Sequence, residues 1–130
     1  MDPPALLRRL EYLYVGSADV EKDLAFYRDV LGAPVVWDFS DFGTRVTAVE
    51  AGARPPLLIL AGHRPAGSVL PIFLVDGLDA TQKALRARGW TGGGHTVEVP
   101  DGPVLLLKDP SGNELGLLDP VRGRALEGDP

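Results

Sequence analysis

Histidine is the side chain whose charge changes nearest to neutral pH, and this chain has two. His63 stands in the loop from Gly62 to Ser68, and His95 follows the run Gly92-Gly93-Gly94. Either could act as a general base, but neither has an obvious acidic neighbour in sequence that would orient its ring. The three glycines lack the lysine and hydroxyl that a phosphate-binding loop needs. The sequence therefore favours surface histidines and leaves a catalytic histidine as the alternative.

Two tyrosines could contribute to a binding surface. Successive side chains of a strand point to opposite faces, so Tyr12 and Tyr14 share a face with Leu10 in the first predicted strand. A tyrosine offers a flat apolar ring with a polar tip, which suits the wall of a ligand cavity. Cross-strand packing would use the same rings equally well, and both interpretations stay open.

Three further aromatic residues lie in and after the second predicted strand. Its apolar side chains alternate onto one face, at Val35, Trp37 and Phe39, and Asp38 points to the other face. Phe42 lies in the turn that follows. Aromatic side chains near a turn are a liability unless they cover something. We interpret Trp37, Phe39 and Phe42 either as a cavity wall, lid or stacking surface, or as ordinary core or a dimer contact.

Composition narrows the class of protein. The chain has 130 residues, 45% of them hydrophobic, which suits one globular domain with its own core. The net charge of −5 argues against a nucleic-acid partner and would favour a cationic ligand. Without cysteine, no disulfide, thiol nucleophile or thiolate metal site can form. No apolar run resembles a signal peptide or could span a bilayer, which predicts a cytoplasmic protein without membrane contact.

The elements that must position these residues begin with a strand and a helix. A strand is predicted over Leu10 to Val15 and a helix over about residues 19 to 31, with Ser17 and Asp19 as candidate N-caps. An apolar stripe at helical spacing is formed by Val20, Leu24, Tyr27 and Leu31. Three more strands are predicted between turn residues, over Pro34 to Phe39, Thr44 to Ala51 and Pro56 to Ala61.

The same order of elements begins again after the loop. The pattern predicts a strand over Leu70 to Val75, a helix over Leu78 to Arg88, and strands near residues 94–99, 103–108 and 114–118. The two halves can be laid on each other at an offset of roughly 60 residues. Duplication of a βαβββ unit then predicts modules over about residues 9–62 and 69–119, followed by a frayed tail at 120–130.

Two stretches of the chain resemble the vicinal oxygen chelate superfamily, which includes glyoxalase I, bleomycin-resistance proteins and extradiol dioxygenases. They are LYVGSADVEKDLAFYRDVLGAPV near the N-terminus and LLLKDPSGNELGLL near the C-terminus. The likeness spans about residues 10 to 118. It implies an α+β fold in which two βαβββ modules form a curved mixed sheet around a cavity, with the helices outside.

Enzymes of that superfamily usually hold one divalent metal with four side chains. The resemblance carries these positions to Leu10, Leu70, Ile59 or Leu60, and Gly116. A divalent metal needs imidazole nitrogen or carboxylate oxygen in three or four places, and none of these residues supplies either. The sequence therefore predicts neither a metal ion nor another cofactor.

One alternative metal site remains open on the sequence. Glu11, His63 and Glu114 could form a rearranged set of ligands, since Glu114 shares a strand face with Gly116 and could point to the mouth of a cavity. The simpler interpretation is that the carboxylates are solvated at strand ends.

The residues and the resemblance together predict a metal-free small-molecule-binding protein, similar to bleomycin-resistance proteins. It would bind or sequester a hydrophobic or planar compound, with a cation favoured, in an aromatic cleft. The predicted ligand-binding residues are Tyr12, Tyr14, Trp37, Phe39, Phe42, Leu70, Glu114 and Gly116. One alternative is a lyase, isomerase or dioxygenase-type enzyme that works without metal or with a rearranged site. Another is an accessory domain without a ligand. The resemblance also implies a homodimer.

Overall fold

The computed structural model describes residues 3–41 and 43–123, and over these residues eight strands and two helices follow the βαβββ order twice. The first module consists of β1 (Arg9–Gly16), α1 (Val20–Ala25), a π-helical segment (Phe26–Val30), β2 (Val35–Asp41), β3 (Thr44–Glu50) and β4 (Leu57–Ala61). The second module consists of β5 (Val69–Leu74), α2 (Leu78–Ala87), β6 (His95–Val99), β7 (Gly102–Lys108) and β8 (Glu114–Leu118). No helix of the described residues is long and apolar enough to cross a membrane.

The strands of the two modules are arranged in the same order. The first module is ordered β2-β3-β4-β1, and the second is ordered β6-β7-β8-β5. In each, the first and last strands pair in parallel, with Tyr14 beside Ile59 and Ile72 beside Gly116. The other pairs are antiparallel. The predicted α+β fold with two βαβββ modules is confirmed. By compactness the described residues divide into two units, at Leu10/Glu11 and at Pro71/Ile72.

Each module has its own core beneath its helix. The core of the first module is formed by Val20, Leu24, Val49, Leu58 and Leu60. The core of the second module is formed by Val75, Leu78, Leu105 and Leu117. We call the side of a sheet that packs on its helix the helical face, and the other side the far face. Because side chains alternate along a strand, these core residues fix the face of every other strand residue.

The first helix changes its winding halfway. Asp19 is the N-cap of α1 and its carboxylate accepts a hydrogen bond from Lys22 N–H at 3.2 Å. After Ala25 the turn widens, and Leu31 N–H donates to the carbonyl of Phe26, five residues earlier, at 3.1 Å. The predicted single stripe is therefore wrong at its end: Val20, Leu24 and Tyr27 contribute to the core, but Leu31 is exposed.

The second helix receives its N-terminal hydrogen bond from a distant part of the chain. Leu78 N–H donates to the carboxylate of Asp119 at 2.8 Å, 41 residues further on. Just beyond, the guanidinium of Arg122 donates to the carbonyl of Val99 at 2.7 Å and to the carboxylate of Glu98 at 2.6 Å. These contacts hold the start of the predicted tail, and residues 124–130 lie outside the described part of the chain.

Candidate functional site

The four positions that the resemblance assigns to metal ligands carry no donor atom. In β4 the choice between Ile59 and Leu60 is settled by packing, because Leu60 belongs to the helical core and Ile59 lies on the far face beside Tyr14. Leu70 is buried, and Leu10 is half-buried at the start of β1. Hydrocarbon side chains cannot replace the water that a divalent cation loses on binding, so these residues do not fit a metal ion.

The space beside Gly116 is already filled. A Cβ atom placed on Gly116 would lie 2.6 Å from Cδ1 of Ile72, 2.8 Å from Cγ1 of Val104 and 3.3 Å from Cδ2 of Leu106. These neighbours occupy the volume that a larger side chain at position 116 would need. Gly116 serves close packing of the far face of the second module.

The alternative ligand set is not assembled. Over residues 3–41 and 43–123, no three side chains among His, Asp and Glu come together in a way that could hold a metal ion. Glu11 is only 1% exposed, and strand alternation places it on the helical side with Leu13 and Val15. The interpretation of Glu11 as a solvated carboxylate is also wrong, whereas Glu114 is half-buried at the start of β8, opposite Lys108.

We expect the purified protein to contain no stoichiometric divalent metal. The physical reason is the donor set, since three aliphatic side chains and a glycine offer no side-chain lone pair to the ion. Elemental analysis of protein prepared without chelators and without a histidine tag measures this directly. One tightly held zinc, nickel, iron or manganese ion per chain would contradict the prediction and would return the enzyme interpretation to first place.

The far face of the first module brings the predicted aromatic residues into register. Across the sheet, Trp37 in β2 pairs with Ala48 in β3, Ala48 with Ile59 in β4, and Ile59 with Tyr14 in β1. Neighbouring strands lie about 4.8 Å apart, so the backbones of Trp37 and Tyr14 are about 14 Å apart. A small and a branched aliphatic residue therefore separate two large aromatic residues along one row.

Rows on either side of this one complete the far face. One neighbouring row runs from Phe39 through Val46 to Ala61, and the other from Glu50 through Leu57 to Tyr12. Trp37 and Phe39 share the face of Tyr12 and Tyr14, as a cavity wall would require. We define the aromatic face as Tyr14, Trp37 and Phe39 on this side of the first module.

Accessibility differs within the predicted set. Phe39 is 54% exposed, and Tyr14 and Trp37 are half-buried. Tyr12 has no accessible surface, so a ligand could not touch it without a rearrangement. Phe42 lies outside the described residues. The surface that a ligand could reach on this side is therefore the aromatic face.

A bulge in β2 corrects one part of the predicted alternation. Val35 pairs with Val49, a residue of the helical core, whereas Trp37 pairs with Ala48 on the far face. The register shift between Val35 and Trp37 means that these two side chains point to opposite sides of the sheet. The bulge allows Trp37 and Phe39 to lie on the same face as Tyr12 and Tyr14 while Val35 remains on the helical face.

Two carboxylates of the first module lie on opposite sides of its sheet. Glu50 lies on the far face, and its carboxylate is 3.3 Å from the guanidinium of Arg54. Asp38 lies on the helical side and accepts hydrogen bonds from Arg45 at 2.7 Å and from the Thr47 hydroxyl at 2.7 Å. These bonds, that from Arg45 first, lower the pKa of Asp38 below its ordinary value. The far face thus carries the carboxylate of Glu50, whereas Asp38 links β2 to β3 through its hydrogen bonds with Arg45 and Thr47.

The histidines occupy different environments. His63 follows β4 in the loop towards β5, and burial together with the neighbouring Arg64 cation lowers its pKa below the ordinary value. A lowered pKa favours the neutral ring, which is the form that can accept a proton. His95 is exposed at the start of β6 and pairs with Leu106.

The turn DPSGN is explained by local hydrogen bonds. The Asp109 carboxylate accepts from the backbone N–H groups of Ser111 at 3.0 Å and Asn113 at 2.9 Å, and from the Asn113 side chain at 3.0 Å. Hydrogen bonds from Asn113 and the turn backbone lower the pKa of Asp109. The motif shapes the β7–β8 turn.

The family can be stated from comparison with known proteins. The family model described as the Glyoxalase/Bleomycin resistance protein/Dioxygenase superfamily matches residues 9–117. The chain belongs to this superfamily, as the resemblance implied. Among curated protein sequences, none matches the chain.

Solved structures show the same fold at low sequence identity. Methylmalonyl-CoA epimerase from Mycobacterium tuberculosis is 18% identical, with a TM-score of 0.69 over 98% of this chain and 96% of that one. A superfamily member from Vibrio splendidus 12B01 is 16% identical, with a TM-score of 0.62 over 85% and 97%. A catechol 2,3-dioxygenase is 17% identical, with a TM-score of 0.67, and the match covers 89% of this chain but 42% of that chain. At such identities the likeness concerns the fold.

Proposed function

We propose that this protein binds a small planar or hydrophobic molecule on the aromatic face of its first module, without a metal ion. The observation that carries the proposal is the register that places Trp37 and Tyr14 at the two ends of one row, with Phe39 in the next row. Aromatic rings bind flat ligands by offset stacking, which adds to the burial of apolar area. No chemical step is needed for such a protein to sequester its ligand.

The charge around this face favours a cationic ligand over an anionic one. The net charge of the chain is −5, and Glu50 stands on the same face in the row beside Trp37. A cation over an aromatic ring gains about 0.5–1 kcal/mol at an exposed site and more when it is desolvated. The Glu50–Arg54 pair moderates this preference, because the guanidinium already lies 3.3 Å from the carboxylate.

Trp37→Ala and Phe39→Ala should each weaken the binding of a planar cationic dye such as proflavine by roughly tenfold, which corresponds to about 1.4 kcal/mol. Each stacked ring contributes about 0.5–1.5 kcal/mol beyond area burial. Fluorescence anisotropy of the dye measures the dissociation constant without depending on the tryptophan that is removed.

The matched control is Phe26→Ala, which removes a comparably exposed ring from the helical side of the same module. Its dissociation constant for the dye should equal that of the unmodified protein. If Trp37→Ala and Phe39→Ala bind the dye as well as Phe26→Ala does, the aromatic face is not the binding site.

A metal-independent lyase or isomerase is the second candidate, favoured by the loop position of His63, where burial and the Arg64 cation lower the pKa of the ring. One of the proteins with a similar fold is an enzyme, the methylmalonyl-CoA epimerase from Mycobacterium tuberculosis. A bound compound that is recovered chemically unchanged after long incubation supports binding alone. Conversion of the compound that is lost in His63→Ala, with binding retained, would support the enzyme.

A further inference from the structure

Two opposite charges stand together at one end of the far face of the first module. Glu50 is the last residue of β3, and it points to the far face because Val49 belongs to the helical core. Arg54 follows in the loop to β4, and its guanidinium lies 3.3 Å from the Glu50 carboxylate. About a third of each side chain is exposed. A ligand on this face can therefore reach both charges of the pair.

The pair lies close to the ring of Trp37. Glu50 and Ala48 are two residues apart on β3, a distance of about 6.7 Å, and Trp37 pairs with Ala48 from the neighbouring strand, about 4.8 Å away. The Cα atoms of Glu50 and Trp37 are therefore about 8 Å apart. Ala48 places only a methyl group between them. A compound stacked on Trp37 would reach the pair with a short arm of a few carbon atoms.

The contact between Glu50 and Arg54 is longer than comparable contacts in this chain. Separations of 2.6–2.8 Å are found in the ion pairs that carboxylates form with Arg8, Arg28, Arg45 and Arg122. Charge-assisted hydrogen bonds of this kind are usually about 2.7–2.9 Å long, and exposed pairs contribute only about 0–1 kcal/mol to stability. The Glu50–Arg54 pair is therefore held loosely enough to adjust to a charged ligand.

An ion pair recognises charge differently from a single carboxylate. A ligand cation beside Glu50 is attracted by the carboxylate but repelled by Arg54, and a ligand anion beside Arg54 is repelled by Glu50. A zwitterion that lies antiparallel to the pair sets each of its charges beside the opposite one, and Glu50 and Arg54 keep their own contact. The local arrangement of charge is therefore complementary to a zwitterion, whereas the net charge of −5 acts on the approach of any ligand.

We propose that Glu50 and Arg54 form a subsite for the zwitterionic arm of a planar aromatic ligand, such as the ammonium and carboxylate of an aromatic amino acid. The inference rests on the proposed function, because the ring of the same ligand stacks on the aromatic face. The ammonium lies against Glu50, and the carboxylate lies against Arg54. The subsite thus selects among flat compounds, which stacking alone does not do.

Displacement of proflavine by a set of indole compounds tests the subsite, with fluorescence anisotropy of the dye as the readout. The compounds share one ring. Free tryptophan carries both charges on its arm, tryptamine carries only the ammonium, indole-3-propionate carries only the carboxylate, and indole has no arm. The dissociation constant of free tryptophan should be roughly fivefold lower than that of either singly charged compound, which is the effect of one further exposed ion pair.

Two variants should change the preference in opposite directions. Glu50→Gln leaves the cation of Arg54 and should favour indole-3-propionate over tryptamine, whereas Arg54→Gln leaves the carboxylate and should favour tryptamine. In both variants free tryptophan should lose its advantage over the better singly charged compound. The control is Arg28→Gln, which removes a cation from an ion pair in the π-helical segment of the same module. It should keep the order of the unmodified chain.

The outcomes separate the subsite from the proposed function. Equal dissociation constants for free tryptophan, tryptamine and indole-3-propionate in the unmodified chain would overturn the subsite, although indole would still compete with the dye for the aromatic face. The same order of compounds in Glu50→Gln, Arg54→Gln and Arg28→Gln would also overturn it. If neither the dye nor any indole compound binds, the proposed function fails and the subsite fails with it.

Discussion

Gly116→Glu is expected to lower the free energy of unfolding by several kcal/mol. Two causes act together. The new side chain must displace Ile72 and Val104, whose terminal carbons stand 2.6 Å and 2.8 Å from the position of the added Cβ. The carboxylate would also lose its hydration among hydrocarbon side chains, without a compensating charge. Thermal unfolding at neutral pH measures the loss, at about 3–6 °C per kcal/mol for a chain of this size.

Three further variants separate the two causes. Gly116→Ala adds the steric conflict alone, and its cost should be smaller because the side-chain ends it meets can shift. Gly116→Gln adds a side chain of the size of glutamate but without its charge. As the pH falls and the buried carboxyl group is protonated, the stability of Gly116→Glu should therefore approach that of Gly116→Gln. Thr96→Glu, on the exposed part of β6, should change little. An unchanged melting temperature in Gly116→Glu would show that residue 116 faces solvent.

Gly16→Ala should be the second large effect, and it acts on the loop that carries His63. A Cβ atom on Gly16 would lie 1.8 Å from the carbonyl oxygen of Pro65 and 2.7 Å from the Ser68 hydroxyl. Gly16 N–H also donates to the carbonyl of Ser68 at 2.9 Å. A backbone carbonyl cannot turn aside as a side chain can, so the loop must leave the end of β1. We expect a loss of about 3 kcal/mol or more.

Gly32→Ala is the comparison for this variant. Its Cβ would meet open space, but its φ of +74° disfavours any residue with a side chain. The expected cost of about 1–2 kcal/mol reports backbone strain alone. Chemical denaturation of both variants, with amide exchange at Ser17 and Ser68, measures the difference. Equal losses of unfolding free energy in the two variants would mean that the Pro65 carbonyl does not exclude a side chain at position 16.

The order of elements could be predicted from the sequence because short-range signals agree with the fold. The strands of both modules alternate or run apolar between Gly, Pro and Asp turns, and the N-cap of α1 is a local contact of Asp19. Repetition of the whole order reinforced each prediction, since a single βαβββ unit cannot cover its own sheet.

Three features of the first module could not be predicted from the spacing of apolar residues, because they depend on how the elements pack. Leu31 continues the apolar spacing of Val20 and Leu24, but the widened turn after Ala25 rotates it to the surface. The bulge in β2 adds one residue between Val35 and Trp37, so that Val35 points to the opposite face from Trp37. No residue type in β2 indicates this bulge in the sequence. Glu11 is buried although glutamate side chains are usually exposed to solvent.

The strand face of the aromatic residues could be predicted from the sequence, and the packing around Gly116 could not. Alternation placed Tyr14, Trp37 and Phe39 on one face because period-two spacing survives in each strand beyond the bulge. The closed surroundings of Gly116 could not be foreseen, because the neighbours that fill its space come from β5 and β7. A glycine in the sequence does not indicate which neighbouring side chains will fill the space beside it.

The hydrogen bond from Leu78 to Asp119 has a consequence for a chain that is made from its N-terminus. At a translation rate of about 5–20 residues per second, the 41 residues between them take roughly 2–8 s to synthesise. The start of α2 is therefore synthesised before the carboxylate that completes its hydrogen bonding. The start of α1 needs only Asp19, three residues before its partner Lys22. The starts of the two helices are thus completed on different schedules: that of α1 by adjacent residues of the nascent chain, and that of α2 only after residue 119 has been added.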